Sequence, residues 1–158
     1  MMADGGTLSA TESLRANLTQ VFRLPDDCVQ WLLDVWDCIQ AFDDYADGDP
    51  VSRERLDALI WSSLVGLPGN PWFAAHSGRL LPILSQAVLK WQASDRAERN
   101  GLADASSFVW RAGYYDLVLA CVLLAHGPQN AARVANLVML LYGERFEDYM
   151  SEFGGKHA

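Results

Sequence analysis

Basic side chains are missing where acidic ones are densest. Between Arg23 and Arg53 the chain has no lysine or arginine, yet that interval holds eight aspartates: Asp26, Asp27, Asp34, Asp37, Asp43, Asp44, Asp47 and Asp49. Over the whole sequence 12 Lys and Arg stand against 20 Asp and Glu, a formal charge of -8. A nucleic-acid binder needs clustered cations to displace counterions, so direct binding of DNA or RNA is not expected. Cysteine is also sparse. Cys28, Cys38 and Cys121 are odd in number and lack CxxC spacing, so they spell neither a disulfide framework nor a zinc site, and free thiols in a reducing cytoplasm follow. The three histidines (His76, His126, His157) form no ligand cluster, and Gly66-Leu67-Pro68-Gly69 lacks the lysine of a phosphate loop.

Long apolar runs are absent too. The most apolar stretch is interrupted by Arg111 and Asp116 inside the roughly 20 residues that a membrane span would fill. The opening residues, MMADGGTLSATES, lack the charged-then-apolar pattern of a signal peptide, and a cytoplasmic protein is expected. No segment sustains the period-two alternation of a strand, and no internal repeat is visible.

What remains is a chain of 158 residues, 51% apolar, with helical spacing throughout. That is enough for one domain with a real core. We expect a flexible N-terminus at 1–8, an all-α domain at 9–153 and a flexible tail at 154–158. The domain reads as a single bundle of seven or eight helices around a central apolar helix at about 104–126.

Local signals place the helices. Ser9-Ala10-Thr11-Glu12 is a capping box followed by Leu14, Leu18, Val21 and Phe22. Pro25 starts a second helix whose apolar set is Cys28, Trp31, Leu32, Val35, Ile39 and Phe42. Ser52 caps a third, with Leu56, Leu59, Ile60 and Leu64, and with Trp61 on a core face. Asn70-Pro71 is a cap followed by proline at the first helical position, opening a short helix that ends near Gly78. Another begins at Leu81-Pro82 and carries Leu80, Leu84, Ala87, Val88 and Trp91. Asp104 caps the central helix, which is apolar on nearly every side from Leu117 to Leu124 and stops at Gly127-Pro128. Two more follow, one after Pro128 and one over 144–153.

The aspartate run is the principal functional candidate. Hard cations take oxygen ligands. Twelve residues from Asp43 to Glu54 partly fit a calcium loop, but Tyr45 and Val51 stand where ligands belong and Pro50 cannot donate. Asp43-Asp44-Tyr45-Ala46-Asp47 spells the DDxxD pattern of prenyl-diphosphate enzymes, without a matching second motif at Glu144-Arg145-Phe146-Glu147-Asp148. Asp34 and Asp37 have the spacing, though not the glutamates, of helical nucleotide pyrophosphatases. At roughly 100° per residue the apolar stripe of the second helix lies opposite Asp37 and Asp44, so these carboxylates face away from the core. Leu33 and Trp36 lie off the stripe among the acids, and apolar groups rimmed by charge mark an interaction surface.

The leading expectation is a non-enzymatic, acidic protein-binding accessory protein of bacterial or bacteriophage type, with a homodimer as one form of partnership. Its interaction surface would comprise Leu33, Asp34, Trp36, Asp37, Asp43, Asp44 and Asp47, with no cofactor. The alternative is a Mg²⁺-dependent helical enzyme acting on a nucleotide or diphosphate, with Asp43, Asp44 and Asp47 on the metal and Arg79 or Arg111 on the phosphate. A charge in an apolar helix must otherwise find a partner, and an aspartate of the second helix would suit Arg111.

Overall fold

The computed structural model describes residues 9–153, so the expected flexible segments at 1–8 and 154–158 lie outside the described residues. Those described residues are predominantly helical and contain no strand. In chain order the helices are α1 (Ala10–Ala16), α2 (Asp26–Ala46), α3 (Arg53–Trp61), α4 (Pro71–Arg99), α5 (Ala105–Trp110), α6 (Tyr114–His126), α7 (Pro128–Met139) and α8 (Phe146–Phe153). The chain forms two compact units that divide between Ala75 and His76, inside α4.

In the first unit, α1 opens on the expected capping box. The Ser9 amide donates to the Glu12 carboxylate at 2.9 Å, and the Glu12 amide donates to Ser9 Oγ at 3.2 Å. A wide π turn, Asn17–Val21, carries α1 onward to Phe22. The first half of α2 is buried over much more than a stripe. Cys28, Val29, Trp31, Leu32, Leu33 and Val35 are all enclosed, and Trp31 stacks on Phe73 with ring centroids 5.5 Å apart. Asp26 and Asp27 occupy its first turn, where negative charge suits the helix dipole.

Beyond Ala41 the same helix emerges from the core. Phe42, expected inside, is 49% exposed, because the last turn of α2 extends past the buried set. Ser52 caps α3 by accepting from the Arg55 amide at 3.1 Å. A second π turn, Ser62–Gly66, prolongs α3 into one more turn at Leu67–Gly69. There the Leu67 amide donates to the Ser62 carbonyl. Pro68, which cannot donate an α-helical bond to residue 64, is accommodated by that wider register. Asn70 then caps α4 as expected, accepting from the amides of Trp72 at 2.9 Å and Phe73 at 3.2 Å. Its amide nitrogen donates to the Asp27 carbonyl at 2.9 Å, tying this corner to the start of α2.

The sequence places a helix end at Gly78 and a new start at Pro82, but α4 runs through both. The proline ring meets the carbonyl of the residue four back, which is Gly78, and nothing stands within 4 Å of where a side chain on Gly78 would be. The backbone can yield there, so the helix is not ended.

The second unit corrects the single helix expected over 104–126. Asp104 is the N-cap, with a reciprocal box to Ser107, and Gly127 ends the stretch at φ 82°. Between them the helix breaks at 111–113, separating α5 from α6. At the break Gly113 sits so close to α4 that a Cβ on it would lie 3.0 Å from Ala87 Cα. The backbone turns here to make that approach. Leu117, Val118, Cys121 and Val122 of α6 are buried as expected, while Leu123 is 47% exposed, because α6 packs chiefly on α7 rather than being enclosed all round.

Candidate interaction surface

The acidic face of α2 has the rotational setting that the sequence implies. Asp37 is exposed and Asp34 and Asp44 are half-buried, on the side away from Cys28, Leu32 and Val35. Gln30 donates to Asp34 at 2.8 Å. Although exposed, Asp37 loses part of its hydration against its neighbours, which raises its carboxyl above the ordinary value, and Asp34 one turn earlier adds to this; Arg55 and Arg15 pull the other way. One residue assigned to this surface is placed differently. Leu33 is 1% exposed and belongs to the core, because α2 is enclosed well beyond one stripe at that level. Trp36 is half-buried.

Among the described residues no group of three or more His, Cys, Asp or Glu is placed to hold a metal ion. Asp43, Asp44 and Asp47 spread around the exposed end of α2, and Asp44 is held by Arg55 of α3 in an ion pair. Neither arginine of the alternative reading completes a phosphate site. Arg79 is exposed on α4. Arg111 lies 3.6 Å from both Glu98 and Glu144, with its guanidinium 5.1 Å from the centroid of the Tyr149 ring and 5.4 Å from that of Phe153. The expected tie to an aspartate of α2 is thus replaced by two glutamates of its own unit.

That arginine is the hub of a structural network. Tyr149 donates to Glu98 at 3.2 Å and shares a hydrogen bond with Ser107, and Tyr142 donates to Glu144 at 3.0 Å. Phe108 packs against Tyr142, Phe146 and Tyr149. Asp116 pairs with Lys90 at 2.9 Å and Trp110 is 50% exposed, so the run from Trp110 to Asp116 lines no common pocket. A shallow depression beside Ser77, Gly78, Leu81, Pro82 and Ser85 carries no titratable side chain.

Helix α3 carries an exposed apolar face. None of its residues is buried. Leu56 is 40% exposed, Ile60 48%, Trp61 66%, and in the π turn Leu64 is 73% and Val65 44% exposed. Leu56, Ile60 and Leu64 recur every fourth residue, forming a ridge about 12 Å long at 1.5 Å per residue. The opposite side faces α2. Arg55 reaches Asp44 there, Ser63 lies 3.9 Å from the Cys38 sulfur, and Leu59 is half-buried. The sequence puts Trp61 on a core face, and the structure turns it outward together with Leu56, Ile60 and Leu64. One signal was available: Arg53 and Asp57 continue the stripe of Ile60 and Leu64, and they pair with each other at 3.0 Å on the solvent side.

Acids outnumber bases in the segment that carries this ridge. From Asp43 to Asp57 there are six acidic residues and two arginines, and both arginines are engaged, Arg53 by Asp57 and Arg55 by Asp44. The imbalance extends to the whole unit. Residues 1–75 hold twelve acidic and four basic side chains, whereas 76–158 hold eight of each. No described helix is long and apolar enough to cross a membrane. No protein-family model, curated protein or solved structure matches this chain.

Proposed function

We propose that this is a non-enzymatic, acidic all-α accessory protein that works by binding another protein through its first unit. The outer face of α3 forms the centre of the binding surface, and the aspartate-rich end of α2 borders it. One observation carries the reading: a whole helix buries none of its residues while five large apolar side chains on it and its π turn stay 40–73% exposed. Isolated exposed apolar residues are ordinary, but a contiguous row rimmed by charge is what a docking surface needs. A solvent-facing tryptophan fits the same role, since large aromatics dominate binding hot spots.

The test is a double substitution, Ile60→Asp with Leu64→Asp, on immobilised protein. Both positions are exposed, so the fold should persist by circular dichroism. The unaltered protein is expected to retain a partner from a lysate of its source cells, and the double variant to lose it. Identical capture by the two proteins would overturn the reading.

A further inference from the structure

We infer that the occupant of this surface is a basic amphipathic helix of the partner protein, laid lengthwise along α3. The inference rests on the docking reading above and specifies its chemistry. Of four recurring modes of peptide recognition, the surface suits one. Strand addition needs a free sheet edge, and the described residues contain no strand. Phosphopeptide or acidic-motif capture needs available arginines, and the two on α3 are already paired with Asp57 and Asp44. A proline-rich ligand needs an aromatic-walled groove, whereas Leu56, Ile60 and Leu64 make a linear aliphatic ridge. Helix-on-helix docking is the mode that matches a ridge repeating every fourth residue.

Charge then selects the partner's sign. The ridge shares α3 with Glu54 and Asp57 and directly follows the run Asp43–Asp49, and with six acids against two arginines from Asp43 to Asp57 this segment is net negative even after Arg53 and Arg55 are paired. Lysines or arginines flanking an apolar stripe would meet these acids. A second copy of this chain fits poorly, because a two-fold contact on α3 would bring the same acids face to face. The ridge is also short beside the roughly 800 Å² per partner of a standard interface between globular surfaces.

The probe is a synthetic amphipathic helix of leucine and lysine, with leucines at helical spacing, titrated by fluorescence anisotropy. A control peptide carries glutamate for every lysine. The leucine–lysine peptide is expected to bind, the glutamate peptide not to bind, and added salt to weaken the complex by about tenfold or more. Ile60→Asp with Leu64→Asp separates docking from simple attraction of opposite charges. The added acids would tighten a purely electrostatic complex, whereas loss of the ridge is expected to weaken it by at least about tenfold. Asp43→Asn, Asp47→Asn and Asp49→Asn together are expected to weaken binding and flatten its salt dependence. Equal binding of the two peptides, or tighter binding by the double aspartate variant, would overturn the inference. If the basic peptide fails to bind while α3-dependent capture from lysate persists, the helix is wrong and the docking reading stands. If both fail, both fall.

Discussion

The two units use charge in opposite ways. In the second, acids and bases are equal in number, and a central ion cluster is turned inward: Arg111 sits between Glu98 and Glu144, and Tyr142 and Tyr149 donate to those glutamates. In the first, acids outnumber bases by twelve to four, and the ion pair between Arg55 and Asp44 is more than a third exposed at each side chain. Charge that is balanced and sheltered holds a fold together. Charge that is unbalanced and outward weakens the compact state slightly and acts on what approaches it. The difference suggests a division of labour, with the second unit carrying structure and the first presenting a surface.

The sharpest way to break this comparison is to remove one arginine from each unit. Arg111→Ala would leave two glutamates facing each other, with 12% and 30% side-chain exposure, and it is expected to cost about 3 kcal/mol of unfolding free energy in urea titrations. Arg55→Ala removes a solvent-screened pair and is expected to cost less than about 1 kcal/mol. Equal losses would erase the contrast.

Alkaline titration reaches the tyrosines of the second unit. Burial pushes the Tyr115 phenol up to about 12, and burial with the Glu144 hydrogen bond raises Tyr142 further. Below about pH 10 both folded and unfolded chains keep these protons, so the tyrosines add no pH dependence. Above it the unfolded chain releases them first, and stability falls as pH rises toward the folded values. Tyr115→Phe is expected to flatten part of that fall, and an unchanged slope would contradict the assignment.

The smallest effect belongs to the first unit. Asp37 has a raised carboxyl pKa, caused first by partial loss of hydration and then by Asp34. Its ionised form is therefore disfavoured by folding. Asp37→Asn is expected to stabilise the protein at neutral pH by less than about 0.5 kcal/mol. The gain should vanish as pH falls below the ordinary carboxylate range, where the unfolded chain also holds the proton. A loss on substitution would mean that the carboxylate is held by a favourable contact.

Where helices begin was legible in the sequence, because capping is local chemistry. Ser9 with Glu12, Ser52, Asn70 with Pro71, Asp104 and Gly127 with Pro128 all act at the positions that their spacing indicates. Continuity was less legible. The Gly78–Pro82 interval carries breaking residues but is helical, and the 111–113 break lies in a strongly helical pattern, because close contact of Gly113 with Ala87 decides it. Orientation was legible on α2, where Asp34, Asp37 and Asp44 mark the side away from the core. It was misleading on α3, where an apolar stripe normally means core and here lies on the solvent side. A hydrophobic pattern reports that a surface should be covered; it does not report whether the chain itself supplies the cover.

That last point is open to a direct measurement. The native cysteines Cys28, Cys38 and Cys121 are all buried, and burial raises the Cys38 thiol above its ordinary value, so they form a slow background for thiol reagents. Leu64→Cys places one new thiol on the α3 ridge, at a position 73% exposed. In the free protein this thiol is expected to react with a disulfide reagent as fast as a cysteine in a short peptide, whatever the protein concentration, and to slow when the leucine–lysine helix is added. Reaction as slow as that of the native cysteines would show that α3 is already covered in the free protein, and would contradict the account.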